Sequence, residues 1–175
     1  MPTTARASLA NDGRIPAAAR WFRAMLAADT EIEQKVDGDG ALRILVVHAG
    51  DTDAAKLLID KVAVRDAGNA IEPIRGRPVH LEAARVDEAL GAQKAPIAGM
   101  IVAEPLGKDQ IQRLIRTTAE RRVILYSPFE GDVERGVSGG LSIQAQVRPF
   151  INSQSLRAGQ IVLRESFLKV AKVYP

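Results

Sequence analysis

The chain contains no cysteine, which excludes a disulfide framework, a thiolate-bound zinc and a thiol nucleophile. Histidine is nearly absent: His48 and His80 are the only two, on separate segments, and no carboxylate spacing completes a metal site around them. Aromatic residues make up 4%, which leaves few stacking platforms for single-stranded nucleic acid. The formal charge is +3, but Lys and Arg are scattered, and no dense basic run marks a nucleic-acid surface. No apolar run approaches the roughly 20 residues of a membrane-spanning helix. The opening MPTTARASLANDGR lacks the apolar centre of a secretory signal. What is present is 175 residues, 46% hydrophobic and 26% charged, an ordinary globular composition with room for one buried core.

Residues 1–14 are small, polar and unpatterned, and read as a mobile tail before a single domain over 15–175. The run IPAAARWFRAMLAADTEIEQKV then carries Ala18, Phe22, Met25, Leu26, Ile32 and Val36 at helical spacing. Pro16 suits its first turn, and DGDG, 37–40, ends it. Next the period changes. RILVVH, 43–48, is a continuous apolar run rich in β-branched residues, as in a strand buried on both faces. TDAAKLLIDKVAVRD predicts a helix, RPVHLEAA (77–84) a strand, and Val86 to Leu90 a short helix. PIAGMIVAEP (96–105) predicts a third strand, KDQIQRLIRTTAERR a helix, and VILYS (123–127) a fourth strand. Such alternation implies parallel βαβ units with right-handed crossovers.

The last part reads differently. LSIQAQV alternates Leu141, Ile143, Ala145 and Val147 against polar neighbours, the pattern of a half-solvated strand. Too few residues follow for a crossover helix, so a tight return into RPFIN predicts an antiparallel edge pair, where Pro149 is tolerated. Leu163, Phe167, Val170 and Tyr174 predict one closing helix from about Ser155 to Tyr174. The fold class expected is α/β: a three-layer Rossmann-like or flavodoxin-like sandwich, mostly parallel, with an antiparallel edge hairpin and a C-terminal helix.

VSGGLS, 137–142, raises the question of a phosphate cradle. Such a loop needs its glycines after a strand and before a helix, so that helix N–H groups face the anion. Here Gly139 and Gly140 precede a strand, and the first strand–helix turn, HAGDTDAA, carries two aspartates that would repel a pyrophosphate. The phosphate reading loses, and Gly136, Gly139 and Gly140 read as turn and strand-start glycines.

In open α/β sheets ligands gather at the carboxyl ends of the strands. Those ends deliver His48, Asp51, Glu104 and Ser127 as candidate ligand-binding residues. The structural alternatives are a strand-end histidine satisfied by a carbonyl and a serine capping the next turn. Ser127 lacks a nucleophile elbow, and a phosphorylated receiver domain fails because the third strand ends in Glu104-Pro105. No catalytic residue, metal set or cofactor is implied. Trp21 and Met25 on the first helix are candidate partner-binding residues. So are Arg148 and Asn152, which flank the return strand.

GVSGGLSIQAQV, RPFIN and SLRAGQIVLRESFLKVAKVY, in this order after RILVVHAGD and PIAGMIVAEP, resemble the YfiR family. Ser166, Leu168, Lys169 and Ala171 fall where that family's closing segment places its serine and "LLKLA". The resemblance implies a non-enzymatic periplasmic protein that restrains a membrane-bound diguanylate cyclase or related sensor by protein–protein contact. A homodimer is one assembly it allows. The chain departs from the family in lacking cysteines, in reading Ser127-Pro128 after the fourth strand, and in showing no export signal. The alternative is a small solute-binding domain akin to one lobe of a periplasmic binding protein.

Overall fold

The computed structural model describes residues 13–175. The tail expected over 1–14 therefore lies outside the described residues, except that Gly13 and Arg14 already start a helix. In chain order the elements are α1 (Arg14–Ala28), a 3₁₀ turn (Ile32–Lys35), β1 (Leu42–His48), α2 (Thr52–Val62), β2 (Val79–Arg85), α3 (Val86–Leu90), β3 (Gly99–Val102) and α4 (Lys108–Glu120). They continue with β4 (Ile124–Ser127), α5 (Asp132–Arg135), β5 (Gly139–Ile143), β6 (Val147–Asn152), α6 (Ser153–Ala158), α7 (Glu165–Leu168) and β7 (Lys172–Tyr174).

The strands form one seven-stranded sheet in the order β2-β1-β3-β4-β5-β6-β7. Every pair is parallel except β5 with β6. The order reverses between β1 and β3, which makes their carboxyl ends the switch point. This is the α/β sandwich that the alternating pattern predicts. β1 runs through the middle with only Arg43 less than buried, as its unbroken apolar run requires. One core packs α1 and α2 on one face through Phe22, Leu26 and Leu58 against Ile44, Ile101 and Tyr126. The other packs α3 and α4 through Ala89, Ile111 and Leu114 against Leu45, Met100 and Leu125.

Two expectations are corrected. The helical run after Pro16 breaks at Asp29, which adopts extended backbone (φ −63°, ψ 117°) and bridges Leu163. Its carboxylate takes the Glu31 N–H at 3.0 Å and pairs with Lys35, so a 3₁₀ turn replaces the rest of the helix. The closing helix is likewise not one helix. α6 stops at Gly159, Gln160 takes a left-handed φ of 53°, and β7 then pairs with β6. The 4-3-4 spacing of Leu163, Phe167, Val170 and Tyr174 crosses a loop, a single turn and a strand. The antiparallel pair consequently sits one strand in from the border. Its turn falls at 144–146, so Val147 opposes Ile143 instead of extending the first strand.

Pro149 keeps its place in this arrangement for a backbone reason. The Asn152 N–H bonds the Ser138 carbonyl at 3.0 Å, so alternation turns the backbone of Phe150 and Arg148 toward β5 and that of Pro149 away. The missing N–H then costs no ladder bond, because β7 begins its pairing one residue further on.

Gly139 and Gly140 open β5, as expected of strand-start glycines, and the structure adds a steric reason for them. A Cβ at Gly140 would lie 2.6 Å from the Ser127 carbonyl oxygen and 2.7 Å from Val133. One at Gly139 would lie 2.5 Å from the Met25 sulfur. Backbone cannot step aside, whereas a methionine side chain can. Gly140→Ala is expected to cost about 2–3 kcal/mol and Gly139→Ala about 1 kcal/mol. Urea denaturation of the two variants checks this; equal losses would remove the steric account.

Candidate functional site

Each strand-end residue is positioned by the turn that follows its strand. After β1 the chain passes through Gly50 at φ 147° and reaches Asp51, whose side chain accepts the Ala54 N–H at 2.9 Å and caps α2. The Glu104 carboxylate, just past β3, accepts the Asp51 N–H at 2.7 Å. The switch point thus brings Asp51 and Glu104 together, as two acceptors bound to the same loop. His48 ends β1 at 5% exposure, and its Nδ1 has no hydrogen-bond partner among the described residues.

Ser127 stands apart. β3 lies between β1 and β4, and the Ser127 side chain is fully buried. Its Oγ donates to Asp132 Oδ2 at 2.6 Å and accepts the Phe129 N–H at 3.2 Å. Asp132 Oδ1 in turn takes Arg135 at 2.8 Å. This is a hydroxyl pinning the β4–α5 turn, the structural role weighed for it from the sequence. Beside it, burial pushes the Tyr126 phenol well above its ordinary value, so it stays protonated and donates to the Gly140 carbonyl at 3.0 Å. Among the described residues no three His, Asp or Glu side chains gather as a metal site.

Of the partner-binding candidates, two are corrected. Met25 is fully buried, with its sulfur over Gly139, because the apolar stripe of α1 turns it onto the sheet. Asn152 is 3% exposed. It caps α6 by accepting the Ser155 N–H at 2.9 Å and donates Nδ2 to the Val133 carbonyl at 2.8 Å. Neither can face a partner. Trp21 is half-buried at the margin of α1, its ring edge-on to Phe167 at 6.3 Å and under Arg20 at 5.7 Å. Arg148 is exposed on β6 and donates Nε to the Val170 carbonyl at 3.2 Å.

A cavity lies elsewhere, beside β5, with a volume of about 290 Å³. The β4–α5 loop forms one wall through Phe129 and Glu130, and Val133 and Glu134 of α5 follow it. Ile143 of β5 and Phe150 of β6 form the other wall. Sequence reasoning missed it, because it arises where β4 ends at Ser127 while β5 runs on to Ile143, a tertiary feature.

No protein-family model matches the chain, and no curated protein matches it. Among solved structures, it is similar to the ABC domain from Streptococcus pneumonia crystallised in complex with L-Trp, with a TM-score of 0.52 and 13% identity. The similarity covers 85% of this chain and 60% of that one, so this chain spans only part of that protein's length. At this identity the likeness shows the fold alone. The chain is a flavodoxin-like or Rossmann-like α/β sandwich. Within that sandwich the switch point is occupied by its own loop contacts, and the open space lies two strands away, at β5.

Proposed function

We propose that the chain is a non-enzymatic regulatory protein acting by protein–protein contact, of the kind that the YfiR family exemplifies. In this reading it is periplasmic and modulates a membrane-bound diguanylate cyclase or related sensor. The observation that carries the reading is an apolar border. Among the described residues, every exposed large hydrophobic apart from Leu57 and Val64 falls from Ile143 onward. Ile143 and Val147 oppose each other at the hairpin, and Val173, half exposed, opposes Ile151 on β7 at the open edge of the sheet. Apolar groups gathered at one border suit a protein contact. The strand-end residues favour no chemistry, since Asp51, Glu104 and Ser127 are each bonded to a loop or turn.

Deleting the gene from its cell of origin should raise cyclic di-GMP, read by mass spectrometry. Returning the wild-type gene should lower it again. Returning Val173→Glu, which places a charge on the border without touching the core, should not. An unchanged cyclic di-GMP level after deletion would overturn this reading.

A second reading is favoured by the cavity of about 290 Å³ and by a similar fold in a domain solved with L-Trp. It makes the chain a small solute-binding domain. Saturable binding of a free amino acid, with no protein partner, would select it.

A further inference from the structure

β5 is longer than the strand that flanks it. The last pair between β4 and β5 is Ser127 with Gly140, whereas the pairing of β5 with β6 continues to Ile143 with Val147. The parallel pairing turns the backbone of Ser127 and Phe129 toward β5, and the Phe129 N–H is bound to Ser127 Oγ instead. The ladder with β4 therefore stops while β5 runs on along the cavity.

The alternation fixed by the Asn152 to Ser138 bond decides what β5 presents there. Gly140 and Ser142 turn their backbone groups toward β6, so Leu141 and Ile143 turn theirs toward the space that β4 has left. Past the Ser127 bridge, the Leu141 carbonyl and both backbone groups of Ile143 face that space. They have no backbone partner among the described residues.

The walls complete the description. Phe129, Val133 and Phe150 offer apolar surface. Glu130 and Glu134 are exposed and make no ion pair with any described residue. Two cations line the cavity as well: Arg14, which is already engaged by a contact of its own, and Lys172, which lies over the Phe150 ring at 5.0 Å with its charge partly engaged by the aromatic face. The volume suits one large side chain and its own backbone, near the lower limit of small-ligand sites.

We infer that this slot receives an extended peptide segment of a partner protein. The segment adds as a short strand beside Leu141–Ile143, places one apolar side chain against Phe129 and Phe150, and directs a basic side chain to Glu130 and Glu134. Strand addition supplies affinity through the backbone, and alternate side chains supply the choice of sequence. An unfinished strand edge beside two carboxylates that no described residue pairs with suits an extended basic-apolar segment better than an acidic one. The inference rests on the reading of the chain as a protein-contact module and adds where the contact is made.

The test is selection of random seven-residue peptides displayed on phage against the full-length chain. The selected peptides are then synthesised and titrated by calorimetry. The expected motif carries Lys or Arg next to an aromatic or branched apolar residue. Glu130→Gln/Glu134→Gln should weaken such peptides about tenfold. Ile143→Pro removes one donor facing the slot while leaving the β6 ladder intact, as Pro149 does on the other strand, and should weaken them about fivefold. N-methylation of the peptide amide that meets the Leu141 carbonyl should do the same. Circular dichroism and thermal unfolding verify that both variants are folded. No shared motif, an acidic motif, or equal binding to both variants overturns the inference, as does saturation of the slot by free L-tryptophan in place of any peptide. Should the variants lose peptide binding yet still lower cyclic di-GMP in the cell, the slot fails as the regulatory contact while the regulatory reading stands.

Discussion

Phe22→Ala is expected to lower the unfolding free energy by about 3–5 kcal/mol. Phe22 is fully buried on α1, with its ring 5.4 Å from that of Tyr126 on β4. It also fills the position above Gly99, where a Cβ would come within 3.1 Å of the Phe22 ring and 2.8 Å of Leu26. The helix approaches the sheet closely because glycine stands under it on β3 and again, at Gly139, on β5. Removing the ring leaves a void whose floor is β-sheet backbone, and sheet backbone collapses poorly into a cavity. Trp21→Ala is the control. That ring is half-buried and meets Phe167 only edge-on, so its loss should be clearly the smaller. Urea denaturation with both variants decides it. Equal losses would mean that α1 is anchored by its margin and not by its buried stripe.

The same helix shows what could be read from residues alone. Ala18, Phe22, Met25 and Leu26 announced their face by spacing, and they form it. β1, with its unbroken apolar run, announced burial on both sides. Local periodicity carries such elements because each residue's environment repeats along the segment. The closing segment lacked that safeguard. Its spacing fits a helix, but Gln160 in the left-handed region and the pairing of β7 with β6 are tertiary facts with no periodic trace. The site divides in the same way. Asp51, Glu104 and Ser127 lie at strand ends as expected, because chain order and strand direction place them there. That they are bound to loop and turn, that Met25 and Asn152 are buried, and that β5 outlasts β4 depend on contacts across the sheet. That last feature turns on the Phe129 N–H being taken by Ser127 Oγ, a contact with no periodic trace.

Lys35→Ala is expected to cost about 3–5 kcal/mol, because it strands a buried carboxylate. Asp29 is completely buried, Lys35 is 9% exposed, and their side chains form an ion pair. The carboxylate's other oxygen takes the Glu31 N–H at 3.0 Å, so the pair is one hydrogen-bonded unit holding the turn after α1. The C-terminal segment docks on that turn. The Thr30 N–H bonds the Val162 carbonyl at 2.9 Å, the Arg164 N–H bonds the Ala28 carbonyl at 2.8 Å, and Asp29 bridges Leu163. Loss of the lysine should therefore be felt in two places: in global stability, and in faster hydrogen exchange at Thr30 and Arg164. Asp29→Asn/Lys35→Met removes both charges while Asn keeps an oxygen for the Glu31 N–H. It should recover most of the loss, since replacing a buried pair outright is far less costly than halving it. A Lys35→Ala variant within about 1 kcal/mol of the wild type, as exposed pairs give, would show that water reaches Asp29 and that the C-terminal segment is held by its apolar contacts alone.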